Sequence, residues 1–273
     1  MRIKAIFLAS ALALTTPAFA GYEPSWSDLR VALYGDQILI PAGNDIVIDA
    51  PYRTDNDART QIAVDVTAPN GKVLESVTLI LDENPMPVSA VFNFDEPLPR
   101  FFFDLSMRIN GPTPVHVVAK TTEGQLLVGE GFVKTSGQGA CSAPPGTDPD
   151  LALATLGEIQ IGITDMDAGK TPLDKLVGLL NKPQKRVDVD INHPSHSGMQ
   201  MDQISLLFIP MRYVENVQID LDGRGFVNMT GSISLSENPR MSLAVPGDTR
   251  SVDVTMTDTD GTVSTAHKAL AGF

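Results

Sequence analysis

Cysteine is nearly absent from this chain: Cys141 stands alone among 273 residues. One thiol makes no internal disulfide, and it leaves no C-x-x-C redox pair, no C-x-x-C-H haem attachment and no cysteine zinc cluster. Basic residues are also scarce, 20 Lys and Arg against 33 Asp and Glu for a formal charge of −13. Nucleic acid and anionic lipid surfaces are poor partners for such a chain. Beyond Leu14 no apolar run approaches the roughly 20 residues of a membrane span, so no membrane insertion is expected. The catalytic signatures are missing too. There is no G-x-S-x-G elbow, H-E-x-x-H helix, P-loop or dinucleotide glycine fingerprint, and four scattered histidines do not build a triad. A binding or carrier module without a cofactor fits better than an enzyme.

The N-terminus reads as an export signal: Arg2 and Lys4, an apolar run from Ala5 to Leu14, then Ala18-Phe19-Ala20 as the cleavage pattern. Cleavage after Ala20 implies a periplasmic location in a Gram-negative host. Losing Arg2 and Lys4 leaves eighteen basic residues against 33 acidic ones, a formal charge of −15. A basic protein such as an exported c-type cytochrome is compatible with that acidity.

Four turn pairs, Asn70-Gly71, Glu123-Gly124, Asp222-Gly223 and Asp260-Gly261, each separate apolar runs of period two and predict tight β-hairpins. Ile62, Val64 and Val66 alternate before the first pair, and Val77, Leu79 and Leu81 alternate after it. Trp26, Leu29, Leu33 and Tyr34 fall at helical spacing behind a Ser25 or Ser27 cap, predicting a short N-terminal helix packed on the strands. Asp148 to Leu156 reads as a second short helix, Gly157 to Ile163 as a strand, and Leu173 to Leu180 as further helix. The fold expected is all-β, two immunoglobulin-like β-sandwiches in tandem with a short N-terminal helix and a partly helical linker. The divisions are 1–20 for the signal, 21–141 and 187–273 for the sandwiches, and 142–186 for the linker.

Cys141 follows Gly137, Gly139 and Ala140 and precedes Ser142-Ala143-Pro144-Pro145-Gly146. Such small, flexible surroundings predict a mobile arm presenting an exposed thiol, with Asp148 and Asp150 opposing its ionisation. Cys141 lies six positions beyond Thr135, so full extension would carry the sulfur roughly 20 Å from the sheet. His193, His196, Met199 and Met201 form the other unusual run. Soft thioethers with imidazoles suit Cu(I), whereas Pro194 and Gly198 equally suit a structural turn with methionines filling the core.

Two stretches resemble the subunits of the SoxYZ sulfur carrier. Trp26 to Asp36 is similar to the opening SoxY helix, and Met107-Arg108-Ile109, Pro114 to Ala119 and the glycine-flanked Cys141 look like its last strands and cysteine arm. His193-Pro194 with Gly198, Ile209-Pro210, Tyr213-Val214, Ser236-Glu237-Asn238-Pro239 and Asp258 to Gly261 resemble SoxZ. Both halves in one exported chain look like the SoxYZ-like carriers associated with quinoprotein dehydrogenases. The resemblance implies that Cys141 is the covalent attachment point for sulfur intermediates, as in thiosulfate oxidation. It also implies that periplasmic sulfur-oxidation-type enzymes, a c-type cytochrome or a quinoprotein dehydrogenase are the partners. The alternative is an accessory or assembly protein for such a dehydrogenase or its cytochrome, without covalent cargo. One departure stands out: the SoxY arm is a free C-terminal tail, whereas here the chain continues past the cysteine.

Overall fold

Two twisted sheets, one of nine strands and one of six, face each other across a shared core in the computed structural model, which describes residues 25–137, 139–165 and 184–270. The export signal and the helix expected over 173–180 lie outside the described residues. The first half contains α1 (Trp26–Tyr34), β1 (Leu39–Pro41), β2 (Ile46–Asp49), β3 (Thr60–Thr67), β4 (Leu74–Leu81), β5 (Val88–Leu98), β6 (Arg100–Met107), β7 (Thr113–Thr121) and β8 (Leu126–Val133). The second contains α2 (Pro149–Ala154), β9 (Ile159–Asp165), β10 (Gln184–Ile191), β11 (Val214–Leu221), β12 (Arg224–Gly231), β13 (Arg240–Pro246), β14 (Ser251–Asp258) and β15 (Val263–Ala269).

The strand orders are β1-β8-β7-β4-β5-β12-β11-β14-β15 and β2-β3-β6-β13-β10-β9. Each half is a sandwich, as the alternation predicts, but the halves are not separate bodies. β5 pairs with β12, setting Phe92 opposite Met229, and β6 pairs with β13, setting Phe103 opposite Leu243. Both sheets therefore run unbroken from one half into the other. The hydrophobic core does the same, joining Val77, Phe92 and Phe103 to Val187, Val217 and Leu243. Phe92 sits at this seam, its ring 5.1 Å from Phe101 and 4.5 Å from Phe103. Pairing closes what would otherwise be bare sheet edges on each half.

Three of the four predicted hairpins form: β7 with β8, β11 with β12, and β14 with β15 are antiparallel neighbours. In the second of these, Asp222 and Gly223 both take positive φ, the backbone of a tight hairpin turn. Asn70-Gly71 does not make a hairpin. It lies in a 3-10 turn that carries the chain from β3 in one sheet to β4 in the other, as a sandwich requires at least once per half.

Helix α1 begins at Ser25, but the Ser25 hydroxyl donates to Glu83 rather than capping the helix. Trp26, Tyr34 and Leu39 pack over Ile80, Val118, Leu126 and Val128 on the outer face of the larger sheet. The Trp26 ring stacks on His116 at 3.7 Å between centroids. In the linker, Asp148 caps α2 through the Asp150 and Leu151 amides, and β9 joins the edge of the smaller sheet beside β10. That strand belongs structurally to the second sandwich.

Candidate functional site

Cys141 does not project into solvent. It is fully buried, in a 3-10 turn over Ala140–Ser142 that is folded against the second half of the molecule. Composition misled because small residues, besides being flexible, also let backbone approach backbone. Gly137 and Gly139 take φ of +81° and +71°, the left-handed conformation that turns the chain back on itself.

The segment is pinned along its length. The Ser136 amide and hydroxyl donate to the Asp57 carboxylate. The Cys141 amide donates to Asn110 Oδ1 at 3.2 Å. From the second half, Ser197 Oγ donates to the Cys141 carbonyl, and Gln200 Nε2 donates to the Ala143 carbonyl at 3.0 Å. Glu237 then accepts from the Gly146 and Thr147 amides at 2.7 and 2.8 Å. Both halves hold the cysteine segment, and the continuation of the chain beyond the cysteine is part of the hold.

The polar groups beneath the thiol form one connected system. Asn84 Nδ2 donates to the Arg108 carbonyl and to Ser234 Oγ, and Asn84 Oδ1 accepts from the Asn110 amide. Arg108, only 2% exposed, donates through Nη1 to the carbonyls of Ser195, Leu235 and Ile233 at 2.5, 2.9 and 3.3 Å. Burial lowers the pKa of Arg108, opposed by the charges of Cys141 and Glu237. The guanidinium stays charged, since arginine starts so high. Burial likewise pushes the Cys141 thiol up, and the Arg108 charge pulls it back. Arg108, rather than Asp148 or Asp150, is thus the charge that acts on the thiol. Asp148 is occupied as a helix cap.

Two clefts open beside this segment, both lined by Ala140 and Ala143. One of about 260 Å³ also carries Asn56, Arg59, Arg108, Gln200 and Glu237. The other, of about 300 Å³, carries Thr54, Asp57 and Ser136. Two guanidinium groups give the first cleft donors suited to an anion.

Of the four copper candidates, the two histidines are engaged by protein partners and the two methionines are exposed. His193 is buried, and its Nδ1 accepts from the Ser195 amide at 2.9 Å, which places its proton on Nε2, facing Asp258 Oδ2 at 3.3 Å. Both nitrogens are engaged, and a metal would have to displace one of these partners. Burial lowers the His193 pKa to about 4 against the pull of Asp258, so the ring is neutral. Asp258 is itself tied to Arg212 Nε at 2.8 Å and to the Thr262 amide. His196 Nδ1 donates to Gln200 Oε1, which also accepts the Ser197 amide. Met199 and Met201 are exposed. Among the described residues no group of three or more His, Cys, Asp or Glu is arranged to hold a metal ion. The run from His193 to Gln200 instead forms the wall against which the cysteine segment rests.

Sequence reading missed that wall. Asn84, Asn110, Ser197 and Gln200 carry no motif, since each acts through one amide or hydroxyl on distant backbone. Arg108 did carry a signal, a lone charge between Met107 and Ile109 at the inner end of an apolar strand.

The fold is an all-β double sandwich that holds one buried thiol where its two halves meet. Residues 30–141 match the family model for the sulfur oxidation protein SoxY, the match ending on Cys141, and residues 181–269 match that for the sulphur oxidation protein SoxZ. The chain belongs to the fused SoxYZ-like carriers, a SoxY domain followed by a SoxZ domain. Among solved structures, the sulfur carrier protein SoxY from Chlorobium limicola f thiosulfatophilum is 23% identical. That match covers 40% of this chain and 93% of that one at a TM-score of 0.34. A beta-glycosidase from Bacteroides vulgatus, 7% identical, covers 82% of this chain and 24% of that one at a TM-score of 0.20. At these scores neither likeness carries an argument. A search of the curated proteins finds no match. No described helix is long and apolar enough to cross a membrane.

Proposed function

We propose that this protein is a non-enzymatic periplasmic carrier, exported with cleavage after Ala20, that holds sulfur intermediates covalently on Cys141 and presents them to partner enzymes. The observation that carries the reading is the position of the only cysteine. It is the last residue of the SoxY match, it is gripped by both halves, and a buried guanidinium acts on it. Conjugation of thiosulfate to the thiol forms a sulfur–sulfur bond and releases one proton and two electrons. The partner must therefore supply an acceptor, a role suited to a c-type cytochrome or a quinoprotein dehydrogenase system. The Arg59 and Arg108 side chains lining the adjoining cleft suit the terminal sulfonate of such an adduct. Burial keeps the resting thiol away from adventitious oxidants, and loading requires the segment to open.

The test is the intact mass of protein purified from its native periplasm without reductant. Sulfur or sulfonate additions that reductant removes, together with complete loss of function in Cys141→Ser, are expected. An unmodified thiol under every growth condition would overturn the carrier reading. The full burial of Cys141 favours one other reading, an accessory or assembly protein for a quinoprotein dehydrogenase that uses the sheet surfaces alone; Cys141→Ser would then leave function intact.

A further inference from the structure

Residues 196–212 form a hairpin whose ends and tip behave differently. At the base the Arg212 amide donates to the His196 carbonyl at 3.0 Å and the Ile209 amide donates to the Gln200 carbonyl at 2.8 Å. At the tip the Asp202 carboxylate accepts from the amides of Ile204 and Ser205 and from the Ser205 hydroxyl. The tip is therefore tied into one shape, with Leu206 held at a φ of +58°. Yet it is apolar and open to water: Ile204 is 95% exposed, and Leu206, Leu207 and Phe208 are each about two-thirds exposed. Met199, Met201 and Met211 extend the patch down the hairpin, and Leu151 and Leu153 of α2 extend it sideways. Between hairpin and helix lies a cleft of about 200 Å³, lined mainly by Pro145, Leu153, Pro194, His196 and Ile209. Exposed large apolar side chains gathered on one hydrogen-bonded turn mark an interaction surface.

The two stretches that bear the patch are acidic; Arg212 at the base of the hairpin is paired with Asp258 and Asp260, and Arg59 donates to the Glu237 carbonyl. Neither 135–165 nor 196–211 contains a Lys or Arg, whereas Asp148, Asp150 and Asp202 lie in those stretches, all exposed or half-buried. An anionic lipid surface would be repelled, and a second copy would bring the same carboxylates opposite one another. The base of the hairpin, meanwhile, supplies the Ser197 and Gln200 bonds to the Cys141 segment.

We propose that the 196–212 hairpin with α2 is a docking surface for a protein that presents an apolar groove bordered by Lys and Arg side chains, and that occupying it draws Ser197 and Gln200 away from the Cys141 segment. The docking stands on the surface alone; its coupling to the thiol rests on the carrier reading.

The test places a benzophenone side chain at Phe208 of the full chain in its native host, identifies the photo-crosslinked protein by mass spectrometry and purifies it for titration. Expected is binding that weakens with added salt and falls at least tenfold for Ile204→Asp and Leu207→Asp, whose exposure leaves the fold untouched. A rise of at least fivefold in the alkylation rate of Cys141 when that protein is bound is also expected. Crosslinks confined to lipid or to a second copy, or equal affinity for wild type and both variants, would overturn the docking surface. Weakened binding with an unchanged alkylation rate would overturn the coupling alone. Tight binding by a Cys141→Ser variant that keeps full function would sustain the docking while removing the carrier reading.

Discussion

Cutting the bonds beyond Cys141 should open the cysteine segment by a calculable amount. Glu237 accepts two amide hydrogen bonds, from Gly146 and Thr147, at the edge of solvent. A hydrogen bond in such a setting contributes about 1 kcal/mol net, so Glu237→Ala removes about 2 kcal/mol of closure. With a factor of ten for every 1.4 kcal/mol, the open population rises roughly 30-fold. Glu237→Gln keeps one acceptor oxygen and should give roughly 5-fold. Gln200→Ala loses the single bond to the Ala143 carbonyl and should match it. The assay is the second-order rate of Cys141 alkylation by iodoacetamide near neutral pH, compared with the same chain unfolded in urea. As the only cysteine, it makes the reading unambiguous. Wild type and Glu237→Ala reacting equally, both at the unfolded rate, would refute the reasoning, because the thiol would then be open without any help.

Acid should destabilise the fold through His193. Its folded pKa of about 4 lies below the ordinary 6.5, so the folded state takes up its proton later than the unfolded state does. Its contribution is complete above pH 6.5 and is lost as pH falls towards 4, on the order of 3 kcal/mol at 1.36 kcal/mol per unit. Urea midpoints measured across that range should fall steeply for wild type, and a flat profile would count against a buried, neutral His193. At the seam, Phe92→Ala removes a fully buried ring that contacts Phe101 and Phe103. A cost of about 3–5 kcal/mol in chemical denaturation is expected, in one transition for the whole molecule, since a single core is damaged. Two separate transitions with only the first displaced would contradict the shared core.

Local patterns in the chain marked local structure well. Period-two runs around Glu123-Gly124, Asp222-Gly223 and Asp260-Gly261 became hairpins, and Asp148 capped its helix, because turn backbone and helix ends are decided by neighbours a few residues apart. Asn70-Gly71 failed because the same dipeptide serves any chain reversal, and which sheet receives the next strand depends on packing far away in sequence. Cys141 was expected to be exposed and is buried. Its cover comes from Ser197, Gln200 and Glu237, more than fifty residues downstream, and nothing near position 141 announces them. The hairpin tip shows the converse. Ile204, Leu206, Leu207 and Phe208 are apolar, and their place on a tied turn leaves them outside the core.

The seam has a consequence for stoichiometry. Two separate chains joined through the same β5–β12 and β6–β13 pairings would part on dilution, each taking with it one bare edge and half a core. Carried on one chain, the halves meet at an effective concentration set by the connecting segment and not by how much protein the cell makes. The thiol of the first half and the hairpin of the second that covers it are then always present one to one, and no excess of either half is left with its edge bare.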